Sequence, residues 1–260
     1  MSALSKEDLA ELAAAKALLE TPGIAAKAAN LLGTPIERGF ALLPVGWRDR
    51  LGQATRDALL ASLKGALLTM QPHAPSPARP NWHKLAAAAS GAAGGAFGLP
   101  ALILELPVST TIICRSIADI ARANGESLDT LPAKLACIEV FALGGPTAGD
   151  DASETGYFAM RSALAQAVSE AGEYLLRHAV MQDGAPALLR LIGLVATRFN
   201  IQVSEKAAAQ AVPIIGAAGG ALINLLFIDH FQDVSRGHFT VRRLERRHGE
   251  QAVREAYQRL

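Results

Sequence analysis

The chain has 260 residues and a formal charge of +1 at pH 7; half of its residues are hydrophobic, 19% are charged and 5% aromatic. That balance allows a sizeable core and favours close-packed helices over a sheet rich in β-branched and aromatic residues. It excludes the basic bias of a nucleic-acid binder, so no nucleic-acid partner is expected.

Ser5 to Leu19 reads as a helix, with Ser5 as its cap and Glu7 and Asp8 in the first turn. Thr21-Pro22-Gly23 breaks it. A short apolar stretch follows, and Thr34-Pro35 restarts a helix. Trp47 to Met70 is a long amphipathic helix with Leu51, Ala54, Ala58, Leu59, Leu63 and Leu67 on its apolar side. Gln71 to Pro80 is a proline-rich loop. Helix resumes at Asn81 or Trp82, breaks around Gly98-Leu99-Pro100, and restarts at Pro107 to run to Asn124. Gly125 caps it. Another helix covers residues 131–143. The run Gly144 to Ser153 is an irregular loop. Three more helices follow: Tyr157 to Gln182, Pro186 to Ala196, and Ile201 to Val212 after a break at Asn200. An Arg-rich end contains Arg236, Arg242, Arg243, Arg246, Arg247, Arg254 and Arg259. No strand stands out. The expected fold is an all-α multi-helix bundle.

Two small-residue runs organise this pattern. Gly91-Ala-Ala-Gly-Gly-Ala96 recurs as Gly216-Ala-Ala-Gly-Gly-Ala221, and Gly-Glu pairs at 125–126 and 249–250 follow at similar distances. The repetition suggests two pseudo-repeated glycine-rich helical hairpins. Gly91, Gly95, Gly216 and Gly220 are spaced for close helix crossing. Both runs sit in long apolar segments, Leu85 to Ile113 and Ala207 to Ile228. Proline and polar residues interrupt each of these, against a simple membrane span.

Polar residues inside those segments are the candidates for chemistry. Glu105, in apolar surroundings, needs a counter-charge or a raised pKa. Arg115 is the expected partner in a structural ion pair, with Thr111 nearby and Asn224 in the second segment. A ligand-facing Glu105–Arg115 pair is the alternative. Asp229, His230, Asp233 and His238 come closest to a metal-ligand set. They lack a His-Glu-x-x-His motif, and solvated or capping roles compete with it. Gly144 to Gly149 lacks the strand and Lys-Ser/Thr pair of a phosphate loop. Ser109 lacks a nucleophile elbow. The Arg-rich end reads as a solvated helix face with i,i+4 pairs such as Glu250–Arg254 and Glu255–Arg259. Anionic lipid headgroups are its functional alternative. Cys114 and Cys137 have neither metal nor secreted-scaffold spacing, and Met1 to Glu11 has no apolar signal region. A cytoplasmic chain, at most peripheral to the inner membrane, is expected.

Several longer motifs carry a resemblance. They are Leu106-Pro-Val-Ser-Thr-Thr-Ile-Ile-Cys-Arg-Ser-Ile-Ala-Asp-Ile-Ala121, Phe141-Ala-Leu-Gly-Gly145, Asp150-Asp-Ala-Ser-Glu-Thr-Gly-Tyr-Phe-Ala-Met-Arg161, the segment Val203 to Asn224, and Gly237-His-Phe-Thr-Val-Arg-Arg-Leu244. Together they resemble the bacterial EcsC family over residues 40–257. The resemblance implies one EcsC-like helical domain over residues 1–260, with peripheral N-terminal helices over 1–40 and a proline-rich loop over 71–80. The family name comes from a gene beside an ABC transporter involved in secretion and processing. That suggests an envelope connection and assigns no activity, catalytic residue or cofactor.

The expected function is binding of lipid, an anionic membrane surface or a hydrophobic ligand through the apolar hairpins. A metal-dependent hydrolase built on Asp229, His230 and His238, with Glu105 or Asp150, is the enzymatic alternative. A scaffold for an envelope protein partner is the third, marked by an exposed apolar patch without a pocket.

Overall fold

The computed structural model describes residues 4–20, 36–69, 80–97, 99–143, 156–178, 184–211 and 216–260, with Ile24 and Lys27 between the first two segments. The α-helices bounded by described residues are α1 (Lys6–Leu19), α2 (Ile36–Ala41), α3 (Trp47–Thr69), α4 (Pro80–Phe97), α5 (Leu99–Ala123), α6 (Leu131–Glu139), α7 (Gly156–Arg177), α8 (Pro186–Ala211), α9 (Gly216–His248) and α10 (Glu250–Arg259). A 3₁₀ turn, Val140–Ala142, extends α6. Among the described residues there is no strand. The chain folds as an all-α bundle. The expected loops at 71–79 and 144–153 and the restart at Thr34-Pro35 lie outside the described residues.

Local signals set several boundaries. Ser5 closes a capping box with Asp8: the Asp8 N–H donates to Ser5 Oγ at 3.1 Å, and the Ser5 N–H donates to the Asp8 carboxylate at 3.0 Å. Gly125, at φ +79°, ends α5. The Glu126 N–H donates to Ala121 O and the Gly125 N–H to Arg122 O, each at 3.0 Å, the paired bonds of a Schellman cap.

Two expected breaks are absent. Helix α5 runs through Pro107, because a proline removes one N–H but tertiary packing on both sides can hold the helix together. Thr111 Oγ1 donates back to Pro107 O at 2.8 Å. Helix α8 likewise continues through Asn200, whose side-chain oxygen accepts from Thr55 Oγ1 of α3 at 3.2 Å. The asparagine serves as an interhelical contact rather than a stop.

The centre of the bundle is aromatic. Phe141, Phe199, Phe227 and Phe231 are fully buried and form one connected ring cluster, with ring centroids 4.8 Å apart for Phe141–Phe199 and 5.3 Å for Phe227–Phe231. They join the turn after α6 to α8 and α9. The 33-residue α9 is the spine. Helix α4 packs along its first half, and α1 along its second. There α1 is tied by Glu11 to Arg243 at 2.8 Å and by the Lys16 ammonium to Tyr257 O of α10 at 3.2 Å.

Helices α4 and α9 run antiparallel, since Gly91 meets Gly220, Ala87 meets Asn224 and Lys84 meets Asp229. The two glycine runs therefore cross one another. They occupy unlike places, one near the end of α4 and one at the start of α9. A Cβ at Gly91 would collide with the Gly220 carbonyl oxygen and come within 2.6 Å of Asn224 Cβ. Gly91→Ala is therefore expected to destabilise the protein by about 1–3 kcal/mol in urea unfolding, against the helix propensity it gains. Gly193→Ala, where nothing lies within 4 Å of the added carbon, should stabilise by about 0.5–1 kcal/mol.

Candidate functional site

Behind the glycine crossing lies a buried polar node. Lys206 of α8 is 0% exposed. Its ammonium donates to both carboxylate oxygens of Glu105 at 3.0 Å and sits 5.0 Å from the centre of the Phe227 ring. The Asn224 amide donates to Glu105 Oε1 and to the Ala87 carbonyl of α4, both at 2.8 Å. Ser90 Oγ donates to the same carboxylate oxygen at 3.4 Å. Side chains or backbone from α4, α5, α8 and α9 thus meet at one carboxylate.

Burial pushes the Glu105 carboxyl up, but the Lys206 charge and the Asn224 amide outweigh it and hold the carboxyl below the usual range. Complete burial pulls the Lys206 ammonium below its usual value, against the opposing charge of Glu105. The Glu105 contribution to stability is present above the ordinary carboxyl value and is lost as pH falls through the lowered native value.

This corrects the expected pairing of Glu105 with Arg115. Glu105 faces inward and Arg115 outward on α5, so the counter-charge comes from Lys206. Thr111 is half-buried and bonds its own helix. Gly91 and Gly220 are brought together with Asn224 and Glu105. Gly95 and Gly216 lie on α4 and α9, and their surroundings lie outside the described residues.

The expected metal ligands are spread along α9. Asp229 pairs with Lys84 at 2.8 Å. His230 is buried against Phe231, with ring centroids 5.1 Å apart. His238 Nδ1 shares a 2.9 Å hydrogen bond with the Tyr157 hydroxyl. Eight residues separate the two histidines, about 12 Å along the helix. Among the described residues no three His, Cys, Asp or Glu side chains form a group able to hold a metal ion. Asp150 lies outside the described residues.

Residues 53–244, well over half of the chain, match the model of the EcsC protein family. The chain belongs to the EcsC family. No curated protein and no solved structure matches it. The EcsC match contains every residue of the polar node and ends two turns before α10; α1, α2 and α10 lie outside it.

Sequence reasoning missed Lys206, which follows Glu205 and opens onto an Ala-Ala-Ala run, the small-residue context of a buried helix face. It also missed a second charged cluster. Arg161 of α7 holds Glu245 bidentately at 2.7 and 3.0 Å. Arg242 holds Glu126 at 2.9 and 3.3 Å, and Arg246 joins the same carboxylate. The Arg-rich end is therefore mostly a set of tertiary clamps. Glu255–Arg259, at 3.1 Å, is a local pair of the expected kind.

Lys206→Met alone leaves Glu105 buried without its cation and is expected to cost about 3–5 kcal/mol in urea unfolding. The double variant Glu105→Gln with Lys206→Met should recover a large part of that loss, a coupling measurable in a double-mutant cycle.

His230 gives a pH signature. Burial, with the Lys27 charge adding to it, pushes its pKa down to about 4. The neutral native histidine costs nothing above the unfolded pKa of about 6.5, and stability falls as pH drops from there towards the native value. Between pH 7.5 and pH 5 the wild type should lose about 2 kcal/mol more than His230→Gln.

Proposed function

We propose that this EcsC protein docks on a lipid bilayer through the outer face of the α4–α5 hairpin. One observation carries the reading. Trp82 and Leu85 on α4 are 69% and 62% exposed, and Leu104 and Val108 on α5 are 79% and 53% exposed. On α5, Pro100, Leu104, Val108 and Thr111 follow the four- and three-residue steps of one helix face. That face carries no charge until Arg115, which is exposed at its end.

An apolar stripe on α5 bounded by a cation, with an exposed tryptophan on the neighbouring α4, fits the headgroup–acyl boundary of a bilayer. Each large side chain transferred from water contributes about 1.5–3 kcal/mol. Helix α5 is the one described helix long and apolar enough to cross a membrane, yet more than half of that stretch is buried inside the bundle. That burial favours docking over spanning. The Glu105–Lys206 pair supports the same reading, because it neutralises internally the acid nearest the apolar face.

Vesicles of phosphatidylglycerol and phosphatidylcholine should co-sediment with the protein. Trp82 should show a blue shift on binding; Trp47, the other tryptophan, is already buried. Leu104→Glu with Val108→Glu should reduce the bound fraction at least tenfold while the circular dichroism stays unchanged. Absence of vesicle binding by the folded wild type would overturn the proposal.

A further inference from the structure

The turn that leads into α3 is built of hydrocarbon. Phe40-Ala-Leu-Leu-Pro-Val-Gly46 contains no polar side chain, whereas surface turns ordinarily draw on Asn, Asp and Ser beside Gly and Pro. Val45, at the tip, is fully exposed and Leu42 is 51% exposed. Phe40, Ala41 and Pro44 also face water. Single apolar residues on a surface are ordinary, but a contiguous group of them marks a contact site.

The backbone displays this group in a fixed form. The Trp47 N–H donates to Pro44 O at 3.2 Å, and Gly46 has φ +81°, the hydrogen bond and left-handed third residue of a type II turn. The Leu42 N–H donates to Gly39 O at 3.1 Å. Both ends are anchored. Gly39 lies so close to Ala208 of α8 that a Cβ there would collide with the Ala208 carbonyl oxygen. Trp47 is buried, and Leu43 packs against the core. Leu42 and Val45 are thus held outward between pinned neighbours, and burying them takes a surface from outside.

Charge and position say what that surface is. Exposed arginines stand directly at both ends of the apolar run, Arg38 before it and Arg48 and Arg50 after it. Three arginines face two acids here, Glu37 and Asp49, so the base of the turn is net cationic. The turn also stands at the end of the bundle where α5 begins. Gly39 meets Ala208, two residues from Lys206, whose partner Glu105 lies in the second turn of α5. At the other end of α3, Leu67 O accepts from Lys134 of α6, the helix that follows α5. Helices α3 and α5 therefore run the same way, and the turn lies at the Leu104 end of the apolar hairpin. Trp82 lies towards the opposite end, since its neighbour His83 pairs with Asp119.

We propose that the turn 40–46 inserts into an anionic bilayer as a second contact of this protein, with Leu42 and Val45 below the headgroups and Arg38, Arg48 and Arg50 at the level of the lipid phosphates. The class of partner rests on the membrane reading above; the part played by the turn rests on its own residues. A convex apolar tip ringed by cations suits a fluid surface that closes around it. Arginine stems lie along hydrocarbon while their guanidiniums meet phosphate oxygens. The attraction is to anionic lipid and weakens with salt. Two contacts, the turn and the hairpin face, fix the orientation of the bundle on the bilayer, which one contact alone leaves free to rotate.

An environment-sensitive fluorophore on Val45→Cys in the full chain tests this, the native Cys114 and Cys137 being buried. With vesicles of phosphatidylglycerol and phosphatidylcholine its emission should shift to the blue and be quenched by doxyl-labelled lipid. Leu42→Glu with Val45→Glu changes two exposed positions and should lower the bound fraction at least tenfold with the circular dichroism unchanged. Removing Arg38 and Arg48 as glutamines should weaken binding to the anionic vesicles about fivefold for each cation. A wild type that binds while the label stays unshifted, or a Leu42→Glu, Val45→Glu variant that binds like the wild type, would overturn the turn and leave the hairpin reading standing. The converse result is also readable. Undiminished binding by Leu104→Glu with Val108→Glu, the label on Val45→Cys still shifting, removes the hairpin and supports the turn. No vesicle binding by the folded wild type overturns both. A dimer in sedimentation velocity that Leu42→Glu with Val45→Glu dissociates, together with a label that shifts without lipid, assigns the turn to a second copy of the chain and overturns the bilayer.

Discussion

A fully buried ammonium constrains this bundle more than any apolar contact. Removing an isolated charge from water costs several kcal/mol even after relaxation, and Lys206 has no water-facing surface. Its compensation requires four helices at once. Glu105 must face inward on α5, Asn224 must approach from α9, and the Ala87 carbonyl of α4 must take the second amide proton. Asn224 reaches that position only because Gly91 has no side chain. The glycine crossing and the polar node are therefore one device.

Such a node has a particular use in an Ala- and Gly-rich interface. Small side chains make shallow ridges, and shallow ridges resist sliding poorly. Large residues normally choose the register of two helices by interdigitation. Between α4 and α9 that choice falls to directed hydrogen bonds. Shifting α9 by one residue rotates Asn224 by about 100°, away from both Ala87 and Glu105. A buried pair of this kind adds little net stability, but it penalises alternative registers by leaving charges unpaired.

The all-α class, the Ser5 box, the Gly125 cap and the close-packing role of the glycines were legible because each rests on local chemistry. Glu105 and Asn224 were legible as polar residues in apolar helices. Their partner was not: Lys206 is 101 residues from Glu105, and no periodicity reports a contact across that distance. Helix geometry did argue against Arg115. It shares the face of Leu104 and Val108, whereas Glu105 shares a face with the buried Ser109 and Ser116. Pro107 and Asn200 misled for a common reason, since breaker propensities are weak priors that packing along a long helix overrides.

The two ends of α9 divide the molecule's chemistry. Its first half lies beside the apolar hairpin, where every buried charge is cancelled internally and the exposed face carries hydrocarbon. Its second half carries arginines that bind acids on α1 and in the loop after α5, and Glu245, which binds Arg161 of α7. The clamps explain why an Arg-rich terminus in a chain of net charge +1 is not a loose basic tail. Each guanidinium is positioned by a carboxylate or an aromatic ring, so the end of the chain is fixed as tertiary structure.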